Sequence, residues 1–388
     1  MNYEKLLSKN LTEIRPSGIR KFFGLVSEMK DVTALTVGEP DFVTPWHVRE
    51  AAIEVLERGN TYYTSNSGLT ELRCAISDYM SRRFSLDYSP KDEIFVTVGG
   101  SEAIDVAMRA VINPGDQVII PLPAFVCYEP IAKMAGAETV IINTKPENNF
   151  KLTPDELRAA ITPKTKLLVL PYPNNPTGAI LTREELSALA DVLREKDILV
   201  LSDEIYAELT YGRAHTSIAN IEGMKDRTIL VSGFSKAYAM TGWRLGYICA
   251  PAPLLSEMLK LHQYAIMCAP TVSQFAAIEA MKNGDADIER MRAEYNRRRV
   301  LIHEGLREIG IDSFMPEGAF YIYPSIGKFG LSSEEFCERL LYEERCAIVP
   351  GPAFGECGEG FARISYAYSV KHIYDALEKI EKFVRKIK

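Results

Sequence analysis

Seven short apolar runs, at residues 94–98, 117–121, 138–142, 167–170, 198–202, 228–231 and 245–249, constrain what this chain can fold into more than any other feature. Each is too short for most helices, and between them lie helix-like stretches, including 102–112, 126–135, 154–161 and 182–196. Such alternation predicts an α/β fold: a large domain with a mainly parallel seven-stranded sheet covered by helices on both faces. Thr182 followed by Glu185 makes a capping box that opens the last of those helices. From about residue 286 the pattern changes to a charged amphipathic helix through Arg290 and Arg299, short strands near 319–323, 346–349 and 361–366, and a closing helix at 370–387. This region reads as a smaller α+β domain over 286–388, following a large domain over 46–285. The run Arg297, Arg298, Arg299 reads as a solvated helix face.

Composition narrows the function classes. At 388 residues and 47% hydrophobic, the chain can bury a large core. A net charge of −7, with both signs interspersed, gives no broad basic field for nucleic acid, so small-molecule chemistry is expected. Seven scattered cysteines without a C-x-x-C, and five dispersed histidines, predict free thiols in a reducing cytoplasm and no metal site. The N-terminus lacks the apolar run of a secretory signal and no stretch reaches 18 apolar residues, so neither secretion nor membrane association is expected.

Four strand ends carry chemistry. Lys236 follows the run Thr228–Val231 among small and hydroxyl-bearing neighbours, with Arg244 eight residues on. A lysine that reacts as a nucleophile must be neutral part of the time, and burial beside another cation lowers its pKa in that direction, so the segment points to a Schiff base. The run Ile198–Ser202 ends in Asp203 and, three residues later, Tyr206. In an open α/β sheet ligands bind outside the carboxyl ends of the strands, and a carboxylate there can keep a heteroaromatic N–H protonated. Ser202, Asp203 and Glu204 equally fit the start of a helix. Leu167–Leu170 runs into the Pro171–Gly178 turn, where Asn175 can aim its amide at a ligand oxygen. Ile94–Val98 meets Gly99 and Gly100 and then a helix, whose first N–H groups form an anion site.

Taken in this order, the four segments resemble the fold-type I pyridoxal-phosphate enzymes, and more narrowly the class I aminotransferases related to aspartate aminotransferase. The resemblance covers the chain from about residue 14 onward. Within that family the chain most resembles bacterial aromatic-amino-acid and N-acetyl-diaminopimelate aminotransferases, through Ser17–Phe22, Val169–Pro173 and Ser202–Tyr211.

Residue by residue, the resemblance implies pyridoxal 5′-phosphate as cofactor and Lys236 as the Schiff-base lysine that later moves a proton from the substrate Cα. It implies that Asp203 pairs with the pyridine N–H, and that Tyr206 and Asn175 bind the ring's phenolic oxygen. Arg244, with Gly100 and Ser101, is implied to hold the phosphate, and Phe125 to stack on the ring; Phe125 is otherwise a core residue. Arg363 matches the arginine that grips the substrate carboxylate, its planar fork suiting a bidentate pair, or else is an exposed strand arginine. Gly38 matches a glycine near the same carboxylate. Tyr63, five residues before Gly68, aligns with a tyrosine that reaches the phosphate of a neighbouring subunit, which implies a homodimer with shared active sites. The first 45 residues are implied to join the small domain.

The chain departs from the family at two positions. Residue 233 is glycine where some relatives carry a phosphate-binding serine, leaving Ser232 or Ser235 to substitute. Residue 101 is serine where some dicarboxylate-specific relatives carry lysine, which argues against aspartate. A pocket of Ile19, Phe22, Tyr63 and Tyr321 favours aromatic or long side chains. The expected activity is transfer of an amino group from an L-amino acid to a 2-keto acid such as 2-oxoglutarate by a ping-pong route. A C–S β-lyase of the same fold is the competing expectation. A cofactor-binding regulator would need an added DNA-binding domain, and an NAD dehydrogenase would need a G-x-G-x-x-G fingerprint that is absent from the sequence.

Overall fold

The computed structural model describes residues 1, 3, 6–14, 24 and 29–388. Ile19, Phe22 and the rest of the Ser17–Phe22 segment lie outside these residues. In chain order the elements that matter for the site are β1 (Thr33–Ala34), α1 (Trp46–Glu57), α2 (Thr70–Phe84), β2 (Ile94–Thr97), α3 (Gly99–Val111), β3 (Gln117–Leu122), α4 (Tyr128–Met134) and β4 (Glu138–Asn143). They continue with α5 (Pro154–Ala160), β5 (Thr165–Leu170), α6 (Arg183–Leu193), β6 (Leu199–Asp203), β7 (Thr228–Gly233), α7 (Phe234–Ala237), β8 (Gly246–Cys249), α8 (Ala252–Ala265), α9 (Thr271–Asn283) and α10 (Asp285–Ile309). The C-terminal region holds β9 (Tyr321–Ile322), α11 (Ser333–Glu344), β10 (Cys346–Ala347), β11 (Val349–Pro350), β12 (Ala362–Ser365) and α12 (Val370–Ile387).

All seven apolar runs join one sheet, in the order β2-β8-β7-β6-β5-β3-β4. Neighbours are parallel from β7 to β4, whereas β8 runs antiparallel to both β2 and β7. Every residue of β2, β7 and β8 is buried, as expected for strands covered on both faces, which therefore read as unbroken apolar runs. Thr182 and Glu185 do form a reciprocal capping box on α6. The helix expected from 102 starts three residues earlier, because Gly99 adopts a positive φ of 79° at the strand-to-helix corner.

The C-terminal strands form a second, three-stranded antiparallel sheet in the order β11-β12-β9. β1 pairs in parallel with β10, so the N-terminal segment is stitched to residues more than 300 positions away. The closing helix α12 buries Ile373, Ala376, Leu377, Ile380, Phe383 and Val384, a stripe at three- and four-residue spacing. The arginine run on α10 corrects the expectation of a solvated face. Arg297 is exposed, but Arg298 is buried against Asp41 at 2.7 Å and Glu294 at 3.0 Å, and Arg299 donates to the Pro316 carbonyl at 2.7 Å and covers the Tyr211 ring. Charge spacing alone could not reveal that residues from distant segments meet this helix face. Among the described residues, no helix is long and apolar enough to cross a membrane.

Candidate active site

The ends of β5, β6 and β7, the start of α3 and the C-terminal sheet enclose a cavity of about 400 Å³. Gly38, Gly100, Ser101, Phe125, Asn175, Asp203, Tyr206, Ser235, Lys236, Arg244, Tyr321 and Arg363 all line it. Tyr63 does not, being 81% exposed on the surface.

Each residue is placed by local chemistry. β6 ends at Asp203, where the Glu204 N–H still completes the ladder by donating to the Val231 carbonyl at 2.8 Å. The residues that follow form turns rather than the helix that Ser202–Glu204 could have capped. Asp203 Oδ1 accepts the Ile205 N–H at 3.1 Å, fixing the carboxylate, while Oδ2 accepts the Tyr128 hydroxyl at 2.6 Å. Burial raises the carboxyl's pKa, opposed by those two hydrogen bonds. In the proline-rich turn the neighbouring Asn174 does the structural work: its Oδ1 accepts from the Thr177 N–H at 3.0 Å and hydroxyl at 2.8 Å. That leaves Asn175 to face the cavity, where its Oδ1 accepts from Arg363 Nη1 at 3.0 Å.

Lys236 sits on the single-turn α7 directly after β7. Its Nζ donates to the Gly38 carbonyl at 2.6 Å and lies 5.7 Å from the Tyr206 ring centre. Burial lowers its pKa to about 8; Arg363 and Arg244 add to the effect, while Glu39 and Asp203 oppose it. Arg363 is 3% exposed on β12, which rules out the surface ion pair. Its guanidinium lies 4.6 Å over the Tyr321 ring and donates to the Thr36 carbonyl. Among the described residues its Nε has no partner.

The start of α3 and the Arg244 guanidinium lie close together at the cavity. A Cβ on Gly246 would stand 2.7 Å from the Gly99 carbonyl carbon, so glycine there lets the helix start approach the sheet. Arg244 itself is in the left-handed region at φ 53°, at the end of the 3-10 turn Thr241–Trp243. Ser235 lines the cavity, whereas the Ser232 hydroxyl is turned to the Glu204 carbonyl at 3.4 Å. A side chain at residue 233 would be tightly packed: a Cβ would lie 3.0 Å from Gly246 Cα.

Sequence reasoning missed Tyr128, which buttresses Asp203, and the hydroxyl contact of 2.7 Å between Tyr206 and Tyr321. Tyr128 stands three residues after Phe125 at the start of a helix, a position that could have been noticed; the second contact joins elements 115 residues apart and left no local trace.

With this geometry, the comparisons place the chain. Residues 30–380 match the model of the aminotransferase class I and II family. A Bacillus subtilis protein named as the aminotransferase YugH is 52% identical, with 98% of each chain covered. A Bacillus subtilis protein named as an N-acetyl-LL-diaminopimelate aminotransferase is 45% identical, covering 99% of this chain and 97% of the relative. The aspartate aminotransferase of Pyrococcus abyssi is 44% identical over 98% of this chain and 99% of the relative. Among solved structures, the aromatic aminotransferase of Pyrococcus horikoshii superposes with a TM-score of 0.90 at 42% identity, covering 96% of this chain and all of that one. The chain belongs to the class I and II aminotransferases, enzymes that transfer amino groups with pyridoxal 5′-phosphate.

The residues present fit that cofactor. A buried carboxylate, a buried amine of lowered pKa, and a glycine-started helix beside a left-handed arginine supply partners for a cationic ring nitrogen, an aldehyde and a phosphate respectively. The unpartnered Nε of Arg363 is a donor awaiting an acceptor.

Proposed function

We propose that this aminotransferase moves the amino group of an L-amino acid, with aromatic or other non-aspartate side chains favoured, to a 2-keto acid such as 2-oxoglutarate. The order is ping-pong: the first keto acid leaves before the acceptor binds. The observation that carries the reading is the position of the Lys236 amine, with the start of α3 and Arg244 on one side and Arg363 on the other, and a pKa near 8.

Bound pyridoxal phosphate supplies an aldehyde carbon that condenses with amines and a cationic ring that accepts the electron pair released at the substrate Cα. Lys236, when neutral, would be the amine that holds that carbon, and its freed Nζ would take the proton from the substrate Cα. Asp203 keeps the ring nitrogen protonated, itself fixed by Tyr128 and the Ile205 N–H. Tyr206 and Asn175 donate to the phenolic oxygen, Phe125 covers the ring, and Gly100, Ser101, Ser235 and Arg244 hold the phosphate. Arg363, with the backbone at Gly38, takes the α-carboxylate of either substrate. We read residues 46–285 as the domain that holds the cofactor, and 286–388 with residues 1–45 as the smaller one that supplies the carboxylate grip.

Two features support the substrate preference. Among the described lining residues the cations are Lys236, Arg244 and Arg363, each already assigned, which leaves none of these described cations for a distal carboxylate. The wall beside Arg363 carries Tyr321. Tyr63 fits a role across a homodimer: it is exposed, as are the large side chains Tyr62, Trp46 and Tyr264, and against a second copy it would complete that copy's phosphate site. A half-reaction screen tests the reading: the holoenzyme is mixed with single amino acids and loss of its lysine-bound absorption is followed. Rapid bleaching by phenylalanine and tyrosine supports it; faster bleaching by aspartate removes the substrate preference, and no bleaching by any amino acid removes the reaction.

A further inference from the structure

The hydroxyls of Tyr206 and Tyr321 lie 2.7 Å apart, with both side chains buried. A phenol has one proton, so only one of the two can donate in this contact. If Tyr321 accepted, the proton of Tyr206 would be spent on it and none would be left for a ligand in the cavity. If Tyr321 donates, Tyr206 keeps its proton for the ligand and becomes a better donor, because chains of hydrogen bonds polarise one another. An anionic oxygen placed before Tyr206 selects the second arrangement. Two other contacts fix Tyr321 in that position. Arg363 lies over its ring at 4.6 Å, and its hydroxyl occupies the space that a Cβ on residue 38 would take, the two atoms being 2.0 Å apart. Gly38 therefore also serves as clearance for this hydroxyl.

We propose that Tyr321 is a positioning residue of the reaction centre: its hydroxyl donates to Tyr206 and turns the Tyr206 proton onto the cofactor's phenolic oxygen, while its ring braces Arg363 for the substrate carboxylate. This rests on the reading of Tyr206 given above. It makes one side chain responsible for both ends of the cavity, with the hydroxyl serving the cofactor and the ring serving the substrate.

The test is a spectrophotometric pH titration of the lysine-bound cofactor in the holoenzyme and in Y321F, Y206F and the double variant. Donation to the phenolic oxygen stabilises its anion and so favours loss of the neighbouring nitrogen's proton. Y321F should raise the titration midpoint by up to about one pH unit, a tenfold or smaller change in proton affinity, and Y206F should raise it further. Because Tyr321 acts through Tyr206, the double variant should match Y206F alone rather than the sum. Y321L, which also removes the ring, should add a several-fold increase in KM for amino donors that Y321F does not show. An unmoved or lowered midpoint in Y321F, or additive shifts in the double variant, overturns the relay. An unmoved midpoint in Y206F instead overturns the underlying assignment of Tyr206.

Discussion

The cavity has two walls built in different ways. One is the carboxyl edge of the large sheet, where Asp203 ends β6 and Lys236 and Asn175 stand a few residues beyond β7 and β5. The other gathers Gly38, Tyr321 and Arg363, with Gly38 more than 280 positions from the other two, through the β1–β10 pairing and the β11-β12-β9 sheet. The first wall is rigid and local: strands buried along nearly their whole length deliver side chains to one edge. The second depends on long-range register. A one-residue slip of β12 against β9 would turn Arg363 to the other face of its sheet. In the proposed reaction the first wall performs the proton chemistry, and the second sets which carboxylate is held and where.

Substitutions should separate the two walls. The largest effect is expected from K236A, which removes the amine from the rigid wall. Turnover should fall by roughly 10,000-fold or more while amino-acid binding is retained, checked by single-turnover kinetics and equilibrium titration. Comparable losses in both measurements would break the division of labour. Next comes R363K on the assembled wall, which keeps the charge and loses the bidentate fork. A fall of roughly 100-fold in kcat/KM is expected, and uptake of the cofactor by the apoenzyme should be unchanged.

A pH series sharpens the same contrast, since it probes Lys236 without altering the other wall. The neutral amine is the reacting form, and the lowered pKa of about 8 makes it about a tenth of the population at pH 7, far more than for an ordinary lysine. The rate of cofactor uptake by the apoenzyme should therefore rise about tenfold per pH unit up to about 8 and then level. A rise that continues toward pH 10 would show an unperturbed amine. The smallest effect is expected from R298A, which cuts the tie from α10 to Asp41 behind the assembled wall. It should cost about 1–3 kcal/mol of stability in a denaturant titration, with KM for the amino donor affected more than kcat.

Much of the rigid wall could be read from residue order. The seven apolar runs, the lysine after the fifth parallel strand's end and the Asp-x-x-Tyr spacing are local signals, and a buried parallel strand writes itself as an unbroken apolar run. Tyr128 was missed because its partner Asp203 lies 75 residues away. The buried Arg298 was misjudged because its neighbours on the helix are charged, whereas its partner Asp41 comes from the opposite end of the chain.

By itself, then, the chain's residue order determined the elements, their α/β class and which side chains stand at strand ends, because hydrophobic periodicity and turn chemistry act over a few residues. Tertiary structure alone decided that Arg363 is buried rather than a surface charge, that Ser235 and not Ser232 lines the cavity, and that Tyr206 meets Tyr321. Burial and hydrogen bonding between distant segments depend on how the sheets pack, and no short stretch of sequence contains that information.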